Sequence, residues 1–239
     1  MKIKLLKKKK EGKDIKSFIF EKPKGFNFKP GQFIYLTLPK LFFDDQRGNT
    51  RHFTIASSPT EEHLMITTRI RKESGYKRTL DKMQKGDLIN YRGPFGDFIL
   101  GKEKKETQVF VAGGIGITPF RSIIKYQIDK GYKTPMHLIY SCSTTEEIAF
   151  RKELECWEKE GKIKLDITIT HPEESKEKWK KLTGRLDHKI LKKLTKNYDL
   201  KKTSFWLCGP PPFVSAIEIE VEKLGIKERN IITEKFSGY

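Results

Sequence analysis

A glycine-rich turn between an apolar run and a helix start offers the first chemistry in this chain, in residues 109–119 (VFVAGGIGITP). The turn contains three glycines, Gly113, Gly114 and Gly116, which let the backbone approach a ligand closely. Thr118 can cap the helix that follows, and Pro119 suits a first helical turn. Such a helix N-terminus favours a pyrophosphate. Because Pro119 stands where the full G-x-G-x-x-G fingerprint has its third glycine, nucleotide binding and a structural tight turn both stay open.

Cys208 is a second candidate, since it follows the apolar run 205–207 and precedes Gly209 and Pro210. A lone buried cysteine is most often a small hydrophobe. The rigid Gly-Pro turn directly after a predicted strand favours a place for Cys208 in the same crevice as the glycine turn.

Two segments with basic side chains, both candidate ligand-binding sites, lie in residues 1–100. One predicted strand places Arg51 and Phe53 on one face and His52 and Thr54 on the other, so that one face is polar enough to hold a ligand. His52 by itself is expected to be an exposed or internally satisfied histidine. The other segment, residues 75–80 (GYKRTL), predicts a loop entering a short helix, with amides, a hydroxyl and charges for an anion.

The elements that must position these residues change character along the chain. Residues 1–100 contain six short alternating segments separated by turn signals, which predict an antiparallel sandwich or small barrel. The predicted strands are Lys2 to Lys7, Ile15 to Glu21, Phe33 to Leu38, His52 to Ala56, Leu64 to Arg71 and Asp87 to Arg92.

After a charged linker at residues 101–106, apolar strands alternate with helices. The predicted strands are 109–112, 137–140, 164–170, 204–208 and 230–233, and the predicted helices are 119–131, 146–159, 187–194 and 212–224. This alternation specifies a doubly wound parallel sheet with its ligand crevice at the carboxyl ends of the strands. We therefore expect two domains, residues 1–100 and residues 107–239.

Composition excludes several classes of protein. The net charge is +18, but it is carried by 39 Lys and 10 Arg spread along the chain, and lysine reads bases poorly, so no nucleic-acid partner is expected. A solvated surface and the steering of an acidic partner remain as explanations of the charge. No stretch is apolar enough for a membrane span or an export signal, which predicts a cytoplasmic protein.

The three cysteines, Cys142, Cys156 and Cys208, are widely spaced and form no C-x-x-C pair. An iron-sulfur cluster, a structural zinc site and a disulfide framework therefore lack ligands, and no metal site is expected. Redox chemistry in this chain would need an organic cofactor.

Four segments together resemble the flavin-dependent ferredoxin-NADP reductase family, from about Phe33 to Phe236. Arg51-x-Phe53-Thr54 looks like its R-x-Y-S/T flavin motif, and Gly75 to Thr79 looks like its pyrophosphate loop. Residues 93–98 (GPFGDF) look like the closing segment of its barrel. The glycine turn and Cys208-Gly209-Pro210 look like its nicotinamide motifs. Each motif is weak alone, and their order makes the resemblance specific.

The resemblance implies FAD and NAD(P)H as cofactors and assigns roles to individual residues. Arg51 would pair with the flavin pyrophosphate, Phe53 would pack beside the flavin, and the Thr54 hydroxyl would sit near its reactive N5. Cys208 would pack against the nicotinamide without acting as a nucleophile, since no base or cation adjoins it in sequence. The implied cofactor-binding residues are Arg51, Phe53, Thr54, Thr68, Lys77, Arg78, Thr79, Gly113, Gly114, Gly116, Thr118, Pro119, Cys208, Gly209, Pro210 and Phe236.

The end of the chain also matches, because Glu234 and Phe236 look like the terminal acid and aromatic residue of the family. With Thr54 and Cys208, these two residues complete the implied catalytic set. Phe236 would stack on the flavin, and Tyr239, which follows the freely rotating Gly238, is a second candidate for the same face.

The implied activity is hydride transfer between NAD(P)H and FAD, with single electrons passed to or from an acidic carrier such as ferredoxin or flavodoxin. The alternatives are a reductase component of a multicomponent oxygenase and, in another class, a flavin-free basic binding module. NADP-specific members surround the 2′-phosphate with more cations than Thr170-His171 and Gly184-Arg185-Leu186-Asp187 supply here. We therefore expect a preference for NADH, with Asp187 repelling the extra phosphate.

Overall fold

A computed structural model describes residues 1–236 and places their strands in two sheets. The first is a six-stranded antiparallel sheet with the strand order β4-β3-β6-β1-β2-β5, which confirms the predicted fold of the first half. Its strands are β1 (Lys2–Gly12), β2 (Ile15–Phe20), β3 (Phe33–Thr37), β4 (Thr50–Thr54), β5 (Leu64–Arg69) and β6 (Leu88–Phe95). A short helix, α1 (Gly75–Lys82), joins β5 to β6.

The second sheet is parallel and confirms the predicted fold of the second half. Its strands are β7 (Thr107–Gly113), β8 (Met136–Cys142), β9 (Lys164–Ile169), β10 (Thr203–Gly209) and β11 (Ile231–Lys235), and its helices are α2 (Ile117–Asp129), α3 (Arg151–Lys159), α4 (His188–Leu194) and α5 (Pro211–Glu222). The strand order is β11-β10-β7-β8-β9, so the order reverses beside β7. A ligand crevice is expected at such a switch point, outside the carboxyl ends of the strands.

The helix predicted from residue 146 begins later, at Arg151. Residues Thr145–Glu147 form a single 3-10 turn, and Phe150 adopts a left-handed backbone conformation with φ 59°. Ile148 and Phe150 are buried in the same core cluster as β7 and β8. The chain therefore turns inward before α3, and the charged residues that suggested a longer helix belong to this turn.

Buried ion pairs join the two halves of the molecule. Arg121 of α2 is 5% exposed and forks its guanidinium between Glu61, which follows β4, and Glu153 of α3. It also donates a 2.9 Å hydrogen bond to the carbonyl of Ala56. Near the sheet ends, Arg69 of β5 makes two hydrogen bonds of 2.8 and 2.7 Å to Glu147. Charged and polar contacts therefore fix how the barrel meets the parallel sheet.

Across residues 1–236, none of the helices has the length and apolar character needed to span a bilayer.

Candidate active site

A cleft between the two halves contains most of the residues predicted to bind a flavin, and we call it the barrel-side cleft. It is lined by Arg47, Arg51, His52, Phe53, Thr54, Thr67, Thr68, Lys77, Ile115, Thr118 and Phe236. The first eight come from the first half of the chain, and the last three come from the turn after β7, from α2 and from the end of the described chain. The cleft therefore needs both halves to exist.

Strand β4 presents consecutive residues to this cleft. Arg51, His52, Phe53 and Thr54 all line it, so residues from both faces of the strand border the cleft. Which of these residues meets the ligand stays a prediction. His52 is an exposed residue whose pKa is lowered, first by partial desolvation and then by the charges of Arg47 and Arg51.

Positive charge is concentrated around Lys77, one of the residues that line the barrel-side cleft. The ammonium group of Lys77 is buried, and its pKa falls to about 8, first because of burial and then because of four neighbouring cations. These cations are Arg71, Arg47, Arg51 and Arg69. So many like charges beside one buried lysine fit a ligand that carries two or more negative charges, such as a diphosphate.

Asp45 lies among these cations and binds the start of α1. Its carboxylate accepts hydrogen bonds from the Tyr76 amide (2.9 Å) and from the Ser74 hydroxyl (3.1 Å), and it pairs with the guanidinium of Arg51. Burial opposes its ionisation, but these amides and the Arg51 charge hold the pKa of Asp45 below its ordinary value. Asp45 therefore remains an anion at neutral pH.

A second cleft lies at the carboxyl ends of β7 and β8 and beside the start of α5, and we call it the sheet-end cleft. It is lined by Arg69, Arg71, Gly113, Gly114, Ile115, Ser141, Cys142, Ser143, Glu147, Thr170, Arg185, Leu186, Pro210, Pro212, Phe213, Ala216 and Ile217. Ile115 of the glycine turn lines both clefts, so the two clefts adjoin at this residue. This is the position in which a nicotinamide nucleotide could reach a flavin.

The three glycines of the turn are favoured at their positions for different physical reasons. A Cβ on Gly116 would lie 2.2 Å from the carbonyl oxygen of Cys208, and a Cβ on Gly113 would lie 2.6 Å from the ring of Phe213. Gly114 has a left-handed φ of +53° and open space around it. Packing therefore explains the absence of a side chain at Gly113 and Gly116, whereas the surroundings of Gly114 are open. Gly113 and Gly114 line the sheet-end cleft, and the approach of a ligand to the turn stays a prediction.

Thr118 does not cap α2, which corrects another expectation. The helix begins at Ile117 with Gly116 as its N-cap and has no side-chain cap, because Thr118 is already the second helical residue. Its hydroxyl donates instead to the carbonyl of Ile115 at 3.1 Å. Thr118 nevertheless lines the barrel-side cleft.

Cys208 and Glu234 face each other in neighbouring strands β10 and β11. The thiol is fully buried, and burial together with the charge of Glu234 raises its pKa well above the ordinary value, so that it remains neutral. Burial also raises the pKa of Glu234 to about 7. Among residues 1–236, nothing hydrogen-bonds the buried Oε2 of Glu234. The pair places a neutral thiol beside a carboxyl group that gains or loses a proton near neutral pH.

Several predicted residues lie outside both clefts. Arg78 and Thr79 contact the segment between β3 and β4. The other residues that line neither cleft are Gly116, Pro119, Cys208, Gly209 and Glu234. Asp187 caps α4 by accepting a 2.8 Å hydrogen bond from the Ile190 amide, and it does not line the sheet-end cleft. The expected repulsion between Asp187 and a 2′-phosphate stays a prediction. Tyr239 lies outside the described residues.

Sequence reasoning missed several residues of the clefts. Arg47 lies four positions before Arg51, and Thr67 is the neighbour of Thr68 in β5, so both had a local signal. Phe213 follows the three prolines directly, but its contact with Gly113 depends on the packing of α5 against β7 and has no signal in the sequence.

A group of rings covers the barrel surface next to the barrel-side cleft, and we call Phe33, Tyr35, His52 and Phe95 the aromatic patch. Phe33 and His52 have ring centres 5.5 Å apart, and Tyr35 and Phe95 have ring centres 5.7 Å apart. Arg92 lies over the Tyr35 ring at 5.5 Å. Phe95 is 43% exposed, and His52 belongs to both the patch and the cleft, so the rings connect the cleft to the surface.

Comparisons with known proteins agree with this geometry. Residues 2–99 match the family model described as oxidoreductase FAD-binding domain, and residues 110–218 match the model described as oxidoreductase NAD-binding domain. Flavohemoprotein A of Dictyostelium discoideum is 27% identical over 244 residues, which cover 96% of this chain and 58% of that protein. The glycine betaine monooxygenase reductase subunit of Chromohalobacter salexigens is 28% identical over 230 residues, which cover 94% of this chain and 61% of that protein.

The chain thus spans about three fifths of the length of these curated relatives. Among solved structures, the flavohem-like FAD/NAD binding domain of nitric oxide dioxygenase from Vibrio cholerae O1 biovar El Tor superposes with a TM-score of 0.82. That match covers 98% of each chain at 19% identity, which is a likeness of fold.

Proposed function

The chain belongs to the ferredoxin-NADP reductase-like family of FAD-dependent NAD(P)H oxidoreductases, and from that premise we propose that it exchanges a hydride with NAD(P)H and single electrons with an acidic carrier protein such as ferredoxin or flavodoxin. The observation that carries the proposal is the contact of the two clefts at Ile115. A flavin in one and a nicotinamide in the other would meet there. The family membership removes the flavin-free binding module from consideration.

The residues of the barrel-side cleft fit FAD. Lys77 and the arginines around it supply the positive charge that a diphosphate needs, and Phe53 offers an apolar ring at the mouth of the cleft. We assign the Thr54 hydroxyl to a hydrogen bond at the reacting edge of the flavin. When bound, FAD supplies the conversion between two-electron and one-electron transfer.

The sheet-end cleft fits the nicotinamide nucleotide. Gly114 leaves room for a phosphate close to the backbone, and Pro210 shapes the opposite wall. We propose that the neutral Cys208 thiol packs behind the nicotinamide, and that Glu234 holds or releases a proton close to it. Phe236, whose amide donates to the Gly209 carbonyl at 2.9 Å, is proposed to cover the flavin and to yield to the nicotinamide.

The aromatic patch and the charge of the barrel support a protein as electron acceptor. Residues 1–100 carry 22 basic and 11 acidic residues, a net charge of +11, against +7 for residues 101–239. Rings near a flavin offer a partner an apolar contact, and Arg92 and Arg47 add positive charge beside them. An acidic carrier with an apolar centre complements this surface.

Turnover of the purified protein with NADH and NADPH against a panel of ferredoxins and flavodoxins tests the proposal. The protein should be yellow, and reduction of its best acceptor should slow as salt is raised, because the screening length falls to about 10 Å at 0.1 M. A small neutral quinone, an uncharged acceptor that needs no docking surface, is the control. Equal salt dependence with the neutral quinone and with the best carrier would refute the docking of an acidic protein on the barrel.

A reductase component of a multicomponent oxygenase is the second candidate, favoured by the similarity to the glycine betaine monooxygenase reductase subunit. The three cysteines are free and far apart, so the chain would pass electrons to an iron-sulfur centre in another protein. Faster reduction of an oxygenase-type iron-sulfur protein than of every ferredoxin and flavodoxin in the panel would favour it.

The choice of coenzyme depends on the cations that line the sheet-end cleft, which are Arg69, Arg71 and Arg185. Arg69 is paired with Glu147, and Arg151, which does not line this cleft, is engaged by Glu155 and Glu177. In the segments that resemble the 2′-phosphate site of the family, Thr170-His171 and residues 184–187, Arg185 is the single arginine, so we still expect NADH to be used at least as well as NADPH. The domain limits, 1–100 and 107–239, and the cytoplasmic location stay predictions.

A further inference from the structure

The segment between β3 and β4, residues 38–49, lies directly on the start of α1. The Phe42 amide donates a 3.0 Å hydrogen bond to the Thr79 hydroxyl, and the guanidinium of Arg78 lies 3.6 Å from the ring centre of Phe43. A Cβ on Gly75 would lie 2.1 Å from the carbonyl oxygen of Asp44. The segment therefore covers the helix start closely, and only a glycine at position 75 allows it.

Asp45 brings a carboxylate from this segment to the N-terminus of α1. The Oδ2 atom accepts from the Tyr76 amide and the Ser74 hydroxyl, while Oδ1 accepts from Arg51 and, at 3.1 Å, from the Arg47 amide. The side chains of Asp45 and Arg51 are 7% and 10% exposed. An anion held by backbone amides and an arginine is the arrangement that proteins use for phosphate.

The remaining contacts of Arg51 also belong to the same segment. Its Nη1 donates to the carbonyls of Arg47, Gly48 and Thr50 at 2.8, 2.9 and 2.7 Å. Both terminal nitrogens of the Arg51 guanidinium thus donate hydrogen bonds to residues 38–49 or to Thr50, the first residue of β4. A flavin diphosphate that takes Arg51 and the Tyr76 amide must replace at least the Asp45 carboxylate.

We propose that Asp45 is an internal competitor of the FAD diphosphate, so that flavin loading requires residues 38–49 to release Arg51 and the start of α1. The proposal rests on the FAD-dependent function proposed above. A diphosphate carries about two charges against one on Asp45, and the cations around Lys77 favour the more highly charged group. FAD can therefore win the exchange, but with reduced affinity and at a reduced rate of loading.

Two roles for Asp45, competing with the FAD diphosphate and positioning Arg51 for it, predict opposite changes in FAD affinity when the charge of Asp45 is removed. If Asp45 held Arg51 in place for the flavin, removal of its charge would weaken FAD binding. If Asp45 competes, removal of its charge strengthens FAD binding and leaves riboflavin, which has the ring system without phosphates, unaffected. The sign of the effect therefore decides between the two roles.

The experiment is a fluorescence titration of flavin-stripped full-length protein with FAD and with riboflavin, together with stopped-flow measurement of FAD loading. For Asp45→Asn we expect about tenfold tighter FAD binding, the size of one charge-assisted hydrogen bond, with faster loading and unchanged riboflavin affinity. Asp44→Asn is the matched control, since it removes the same charge from an exposed neighbour. It should leave FAD affinity within about twofold.

Weaker or unchanged FAD binding by Asp45→Asn, with wild-type protein that binds FAD, overturns the proposal. Equal tightening of riboflavin and FAD also overturns it, since loosened packing would act on both. If Asp45→Asn does not fold, judged by its thermal unfolding, Asp45→Ser keeps an acceptor for the Tyr76 amide and is held to the same criteria. Failure of the wild-type protein to bind FAD at all would instead refute the proposed function.

Discussion

The guanidinium of Arg51 has Asp45 on one side and three carbonyl groups of its own loop on the other, so its removal affects both the loop and the ligand. We expect Arg51→Ala to weaken FAD binding about ten- to a hundredfold, because a charge-assisted hydrogen bond to phosphate is lost and the charge of Asp45 remains. Fluorescence titration with FAD measures the change. Arg229→Ala, at an exposed position outside both clefts, should leave FAD affinity unaltered; unchanged retention in Arg51→Ala as well would contradict the assignment.

Glu234 makes the unfolding free energy depend on pH, and the direction of this dependence follows from its pKa. Burial raises the pKa of its carboxyl to about 7, whereas an unfolded glutamate titrates near about 4.3. The stability linked to its neutral form is therefore fully present below about pH 4 and is lost as the pH rises through about 7.

We expect the unfolding free energy of Glu234→Gln, relative to wild type, to rise by roughly 2 kcal/mol between pH 5 and pH 8, because only the wild type must then bury a charge. Urea unfolding over a pH series measures this difference. The exposed Glu222→Gln on α5 is the control and should show none of this rise. A constant difference for Glu234→Gln would mean that Glu234 is solvated in the folded state.

At the scale of elements, the turn between β7 and α2 packs directly against the end of β10. A Cβ on Gly116 would meet the Cys208 carbonyl oxygen at 2.2 Å, and a rigid backbone cannot give way as a side chain can. We expect Gly116→Ala to cost about 3 kcal/mol in unfolding free energy and to weaken NADH binding.

Gly131, which follows α2, serves as a control for Gly116, because a substitution there introduces backbone strain without steric crowding. It has φ +68° and open space around it, so Gly131→Ala should cost about 1 to 2 kcal/mol through the left-handed conformation alone and leave NADH affinity unchanged. Urea unfolding and NADH titration of both variants test the pair. Equal effects of the two substitutions on NADH binding would show that the turn does not shape the sheet-end cleft.

Element type was predictable where the local pattern is strong. Strand β7 contains the continuous apolar run 109–112, which is fully buried, and α5 opens on the prolines that suit a first turn. The start of α3 was not predictable, because Phe150 takes a left-handed conformation to fill the core beside β7 and β8. The charged residues Glu146 and Glu147 favoured a helix in the sequence. The pairing of Glu147 with Arg69 of β5 depends on a contact that no local pattern records.

At the scale of the whole molecule, Arg121 of α2 joins the parallel-sheet half to the barrel half through Glu61, and it also pairs with Glu153 of α3 in its own half. We expect Arg121→Leu to destabilise the protein by about 3 to 5 kcal/mol, because two carboxylates lose their partner. Hydride transfer should also slow, since the clefts meet only while the two halves keep their orientation. Thermal unfolding and single-turnover reduction by NADH measure the two effects.

Lys130→Leu is the matched control at the end of the same helix, because Lys130 is exposed and its ammonium group lies over the ring of Tyr126, also in α2. It should change the unfolding free energy by less than about 0.5 kcal/mol and leave hydride transfer unaltered. Slower hydride transfer in both variants would assign the effect to α2 itself and not to the junction.

The site was predictable from sequence only in part, for reasons of distance along the chain. Thr54, Lys77 and the glycine turn belong to local motifs, and the structure brings them to neighbouring clefts. The partners Arg121 and Glu61 lie 60 positions apart, and Asp45 meets Tyr76 across 31 positions. Neither contact follows from periodicity or composition, because each depends on how complete elements pack.

The shared walls of the barrel-side cleft limit how far these domains can be exchanged as modules. Ile115, Thr118 and Phe236 belong to the second half of the chain but line the cleft proposed for the flavin. A chimera that takes a foreign coenzyme domain to alter its choice of nicotinamide would replace part of the flavin's surroundings as well, and with it the reduction potential of the flavin. Keeping these three residues and Arg121 in such a chimera would preserve the part of this cleft that the second half supplies and the ion pair with Glu61.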